Sequence, residues 1–152
     1  MRVEFENKTK HHLVPQKFAQ LMRCGADVLR LPKETKVNLF FVDPAEIRGL
    51  NKRTRKINKV TDVLSFPLQE EKDYQKDVEG NVALGDIVIN PDYSLKKAKT
   101  EGRKESDELF FLAVHGLLHL CGYDHNSDSG QVAMEKASKK ILNNFLKNDS
   151  PA

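Results

Sequence analysis

The sequence predicts a single α/β or α+β domain spanning residues 1–152, a small mixed β-sheet packed with about five helices. Three observations carry that expectation. Strand-period and helix-period segments follow one another in the order β-α-β-α-β-β-α-α-α. The length suffices for one hydrophobic core, and neither an internal repeat nor a linker divides it. One helix, beginning near Leu109, is apolar nearly all round and so belongs at the centre of the fold.

The elements follow in order. Residues 2–6 (RVEFE) alternate as a first strand. Residues 15–31 place Phe18, Leu21, Met22, Cys24, Ala26, Val28 and Leu29 on a broad apolar face. Pro15 suits the first turn of that helix, and Leu31-Pro32 breaks it. Residues 36–42 (KVNLFFV) are rich in β-formers. Asp43 and Pro44 then supply an N-cap and a first helical position for a helix reaching about Lys52, with Ile47 and Leu50 inward. Residues 61–67 (TDVLSFP) read as a short strand closed by proline, and residues 69–80 as a polar, net acidic, mobile loop. Residues 83–90 (ALGDIVIN) return to a strand, in which Gly85 marks a bulge or a close approach. A helix starts at Asn90-Pro91, turns Tyr93, Leu95 and Ala98 inward, and stops near Gly102. Ser106 is expected to cap the central helix, with Asp107 and Glu108 complementing its dipole. A last amphipathic helix covers residues 128–145, burying Val132, Met134, Ala137, Ile141, Leu142 and Phe145, and residues 146–152 are expected to fray.

The composition excludes several classes. With 39% hydrophobic and 31% charged residues, this is an ordinary globular chain. No apolar run approaches the roughly 20 residues needed to cross a bilayer, so no membrane partner is expected. The opening residues MRVEFENKTKHH show no apolar core of a secretory signal, and Cys24 and Cys121 are isolated rather than a disulfide framework. A reducing, cytoplasmic setting is therefore the expectation. The net charge of +3 is small, but Arg48, Lys52, Arg53, Arg55, Lys56 and Lys59 fall within twelve residues, with Glu46 the nearest acid.

The most informative stretch is LFFLAVHGLLHLCGYDH, residues 109–125. His115 and His119 are four apart, one turn apart on one helix face. Gly122 can end the helix in a left-handed cap, so that the chain turns back and brings His125 to the same point. Three convergent imidazoles with an open position suit a catalytic transition metal, zinc above all, with nickel, iron or copper also able to bind. The spacing H-x3-H-x5-H with its glycine is that of the metzincin proteases, except that Gly116 occupies the position of their catalytic glutamate. That weakens a peptidase reading. Asp124 is either a turn residue or a group that orients a ligand, and Cys121, on nearly the opposite helix face, reads as core.

Three blocks together carry a family resemblance: Leu50-Asn51 through Arg55 to TDVLSFP, LGDIVI at 84–89, and HGLLHLCGYDH at 115–125. In these blocks, and in their spacing over roughly half the chain, the sequence resembles the YbeY family of endoribonucleases that mature ribosomal RNA. The resemblance implies a mixed α/β domain with its metal, generally zinc, on His115, His119 and His125. It implies a role for Arg55 in RNA processing. It also implies single-stranded RNA as substrate, 3′-end maturation of small-subunit ribosomal RNA, a small ribosomal subunit partner, and ribosome quality control. Val60 replaces the usual proline before TDVLSFP, and Thr54 the usual aromatic before the arginine.

The residue chemistry is compatible with metal-assisted phosphodiester cleavage. Arg55 offers a fixed fork of donors that matches phosphate oxygens, and Lys52, Arg53, Lys56 and Lys59 can follow a nucleic-acid backbone. Gly116 supplies no general base, which leaves Asp86, Asp124 or metal-bound hydroxide, with water or the RNA 2′-hydroxyl as nucleophile. Two rival readings remain at this level. One is a zinc metalloprotease or related hydrolase. The other is a non-catalytic, RNA-binding ribosome-assembly factor in which the metal staples the fold.

Overall fold

In the computed structural model, residues 1–69 and 73–149 are described. They form four strands and five helices: β1 (Arg2–Asn7), α1 (Pro15–Leu29), β2 (Thr35–Phe41), α2 (Pro44–Arg55), β3 (Val63–Pro67), β4 (Val82–Ile89), α3 (Pro91–Thr100), α4 (Glu105–Leu120) and α5 (Asp128–Asp149). The predicted order of elements is the observed one. The sheet runs β1-β2-β4-β3, with β1, β2 and β4 parallel and β3 antiparallel to β4. It is therefore the expected small mixed sheet.

The alternation within each strand sorts the two faces. Val37, Leu39 and Phe41 of β2, with Leu84, Ile87 and Ile89 of β4, face the main core, which they share with Phe18, Leu21 and Met22 of α1, Leu117 and Leu118 of α4, and Ile141 and Phe145 of α5. The opposite face carries a smaller cluster, Val42, Ile47, Leu64 and Val88, half-covered by α2. Between α2 and the sheet lies a groove of about 360 Å³ that includes Phe40, Phe66 and Asp86.

Helix α4 is buried along most of its length, as its sequence predicts, and two glycine contacts set its depth. A Cβ at Gly116 would lie 2.5 Å from Ile87 Cγ2 of β4, and one at Gly25 of α1 would lie 2.4 Å from Leu117 Cδ2. The helix thus rests directly on the sheet on one side and on α1 on the other.

Several element ends depart from the sequence reading. α1 stops at Leu29 and α2 continues to Arg55, because Arg30 (φ 54°) and Lys56 (φ 61°) take left-handed cap conformations without being glycine. The Lys56 amide closes the cap on the Asn51 carbonyl. Asp43 is the α2 N-cap but makes no side-chain cap hydrogen bond. Ser106 lies inside α4 rather than capping it. The helix begins one residue earlier, and buried Glu108 is paired with Arg103 at 2.7 Å. In α3 it is Ser94, not Tyr93, that turns inward. Val132 of α5 is exposed, and that helix runs on to Asp149, four residues past the expected end. Of the expected loop at 69–80, residues 70–72 lie outside the described residues, as do 150–152 of the expected frayed end.

Gly85 fulfils both readings of the sequence. The β2–β4 register shifts beside it, so that Ala83 pairs with Lys36 and Gly85 with Val37. Its φ of +147° and the 2.4 Å that would separate its Cβ from the Phe66 carbonyl oxygen leave no room for a side chain. Gly85→Ala is expected to cost roughly 2–4 kcal/mol, combining backbone strain with overpacking. Gly80→Ala, at φ +82° with nothing within 4 Å, carries only the backbone share of about 1–2 kcal/mol. Urea unfolding midpoints of the two variants check the difference.

Candidate functional site

The site is built at the C-terminal end of α4. Cys121 is the C-cap, and Gly122 follows at φ +92°. The Gly122 amide donates to the His119 carbonyl at 3.1 Å and the Tyr123 amide to the Leu118 carbonyl at 3.0 Å, the paired bonds of a Schellman cap. This reversal carries His125 back over the helix end. His115 Nε2 then lies 3.0 Å from His119 Nε2 and 3.2 Å from His125 Nε2. The donor atoms of all three lie within 4.8 Å of one another. Nitrogens held about 2.0–2.1 Å from one tetrahedral ion are separated by about 3.3 Å, so the spacing fits a shared metal.

The electrostatics favour the same use. Burial, and then the neighbouring His119 and His125, push His115 down to about 4, against a nearby Asp62 carboxylate. His119 is pushed down chiefly by burial, and by His125 and Arg55, against the Tyr123 carbonyl and Asp124. Both imidazoles are neutral at pH 7 and keep a lone pair for a metal. His119 Nδ1 lies 3.0 Å from the Tyr123 carbonyl oxygen, which only accepts, so Nδ1 carries the proton and Nε2 is left as the donor to a metal. The cap that turns the chain therefore also sets the tautomer. A helix C-terminus further favours positive charge at this position. The three histidines thus form a group that can hold a metal ion.

Arg55, sixty residues earlier, arrives at the same place. It is the last residue of α2, its Nη2 donates to the Ser65 carbonyl at 3.4 Å, and its charge is felt by His119. Ser65 Oγ donates to the Gly116 carbonyl at 3.3 Å. One β3 residue therefore touches both the arginine and the histidine helix. The remaining basic residues of that segment are exposed, and Arg53 lines the groove on the other side of the sheet.

The candidate bases divide. Asp86 does not reach the histidines: it sits on the opposite sheet face and accepts from Asn38 Nδ2 at 2.7 Å. Asp124 is close enough to influence His119, but its Oδ1 accepts the Asn126 amide at 3.0 Å, so it shapes the turn that carries His125. Asp62, which sequence reasoning passed over, is the carboxylate whose charge reaches His115. Its position inside TDVLSFP, next to the strand that touches α4, was the available signal. Cys121 caps the helix end and packs half-buried against the core.

This arrangement makes a metal-binding prediction. Alanine at His115, His119 or His125 is expected to abolish stoichiometric binding of added zinc, read by calorimetry on chelator-treated protein. Asp86→Ala is expected to leave binding unchanged, because Asp86 lies across the sheet.

Comparison with known proteins agrees with the geometry. The sequence model of the family described as endoribonuclease YbeY matches residues 2–146. An endoribonuclease YbeY of Lachnoclostridium phytofermentans is 35% identical over 136 residues, 81% of this chain and 82% of that protein. One from Bifidobacterium animalis is 33% identical over 146 residues, 96% of this chain and 81% of that protein. A Thermotoga maritima protein solved in solution superposes with a TM-score of 0.61 at 26% identity, over 97% of this chain and 93% of that one. With its histidine triad, its arginine and nearly its whole length inside the matched region, the chain belongs to the endoribonuclease YbeY family.

Proposed function

We propose that this chain cuts single-stranded ribosomal RNA at a site formed by His115, His119, His125 and Arg55. Its work would lie in 3′-end maturation of small-subunit ribosomal RNA and in ribosome quality control, on the small ribosomal subunit in the cytoplasm. Family membership makes RNA phosphodiester cleavage the reaction class and ribosomal RNA processing its setting. The observation that carries the site assignment is the convergence of three imidazoles with an arginine that Ser65 holds and whose charge reaches His119. Zinc is the ion that three neutral imidazoles with an open position suit best. When bound, such an ion supplies Lewis acidity at a phosphoryl oxygen and acidifies water.

The chain's own residues supply the rest. The Arg55 fork holds a phosphate oxygen and stabilises the charge that grows on it. Asp86 lies across the sheet, so the candidates to take a proton from the attacking water or 2′-hydroxyl are the aspartates whose charge reaches the histidines, Asp62 and Asp124. A metzincin-type peptidase needs a carboxylate at position 116, where even a Cβ meets Ile87 at 2.5 Å. That contact favours the nuclease over the peptidase.

Cleavage of a single-stranded RNA carrying the small-subunit 3′ sequence tests the assignment. Arg55→Ala is expected to lower kcat/KM by roughly 10²–10³, and Arg55→Lys to recover only part of it, because lysine lacks the bidentate fork. His119→Ala is expected to stop cutting while the protein stays folded; unfolding instead would favour the metal staple. Equal cutting by wild type and every variant would sink the proposal. Product ends identify the nucleophile: a 2′,3′-cyclic phosphate marks 2′-hydroxyl attack, and a hydrolytic end marks water.

A further inference from the structure

Within the mostly buried stretch of α4 from Glu108 to Leu120, Phe111 is 44% exposed. It precedes His115 by one turn, and the two rings stand 6.0 Å apart, centroid to centroid. Phe111 lines a half-open groove of about 290 Å³ between α4 and α5, which His115 and His125 line as well. Met134, only 2% exposed, and Leu142 line its apolar interior, with Lys139 beside them. Gln131 and Glu135, 3.5 Å apart, add an amide and a carboxylate to the lining. The groove does not include His119, the histidine that feels Arg55. The groove and the arginine thus adjoin different members of the triad.

A flat aromatic wall, an apolar interior and a few polar groups match one part of an RNA chain, its base. We infer that this groove holds the base of a nucleotide flanking the cleaved phosphodiester, stacked on the Phe111 ring. The inference rests on the nuclease reading above. Continuity with the triad makes the occupant a piece of the same substrate. With the phosphate between the histidines and Arg55, the adjoining nucleotide extends over His115 onto Phe111, and Lys139 is near the next phosphate. Every base has a π-face, so such a pocket tolerates sequence. A base inside a helix cannot offer its face to a side chain, so the pocket selects unpaired RNA. Phe111 is then a binding residue that gives the enzyme its preference for single strands.

The test is steady-state cleavage of a short single-stranded oligoribonucleotide by the metal-loaded protein, with an abasic residue placed at each position in turn. For wild type, one abasic position beside the cut is expected to raise KM roughly tenfold, the usual weight of one base-aromatic stack. Phe111→Leu keeps the apolar bulk and removes the ring. It is expected to raise KM for intact RNA by a similar factor with kcat little changed, and to be indifferent to the abasic position. Phe111→Tyr is expected to behave as wild type. Cleavage by wild type with an unchanged KM for Phe111→Leu overturns the pocket and leaves the nuclease standing. So does an abasic penalty undiminished in that variant. If wild type cuts no RNA at all, both readings fall.

Discussion

The depth at which α4 lies in the protein decides most of what the structure can do. That helix is wedged between α1 and β4 with a glycine at each contact, Gly25 against Leu117 and Gly116 against Ile87. Close packing of this kind admits only one axial position and one rotation. Rotation is the sensitive variable. His115 and His119 share a face one turn apart, and a twist that hid one would hide both. The absence of a side chain at Gly116 is thus a packing requirement first. Its chemical consequence, a candidate metal site without an adjacent glutamate, follows from the need to seat the helix on the sheet.

In the proposed site, Arg55 is coupled to the histidine helix through β3. Ser65 offers its hydroxyl to the Gly116 carbonyl and its own carbonyl to Arg55. Neither bond is short, and neither contributes much stability in isolation. Their value is in position: side chain and backbone of one residue address the two elements that carry the groups of the proposed site. Buried Asn51 supports the same region by donating to the Lys59 carbonyl at 3.1 Å, which fixes the loop between α2 and β3. The basic run is therefore not one surface. Arg55 turns toward the histidines while Arg53 faces the groove across the sheet.

Much of this was legible in the residues. The buried central helix, the turn at Gly122 and the order of elements all follow from periodicity and turn chemistry, because those signals are local. What sequence could not give were features set by tertiary contact. Arg30 and Lys56 adopt left-handed caps with no glycine to announce them, so α1 was read too long and α2 too short. The misplacement of Asp86 has a definite cause. In strict alternation it would share a face with Leu84. The register shift at Gly85 inserts one residue and flips every later side chain, so Leu84 and Ile87 both face the core and Asp86 faces away. A bulge signal was visible in Gly85; its effect on the neighbouring aspartate was the step missed. Asp62 is harder to read for the opposite reason: its place inside TDVLSFP is a local mark, but its relevance depends on a strand touching a helix fifty residues later.

In the proposed site, the charges also explain why an anion belongs there. Three imidazoles add no negative charge to a divalent ion, unlike the carboxylates and thiolates of many metal sites. Arg55 adds a second positive centre close enough to depress His119. Two cationic centres at one helix end repel each other unless an anion lies between them, and a phosphodiester supplies that charge with oxygens on two sides. Binding of metal and of RNA is then mutually reinforcing, and by linkage each raises the affinity of the other by the same factor. The same reasoning disfavours a peptide, whose neutral amide would leave the guanidinium and the metal uncompensated. In the proposed site the charge balance, like the missing side chain at Gly116, therefore favours RNA over protein.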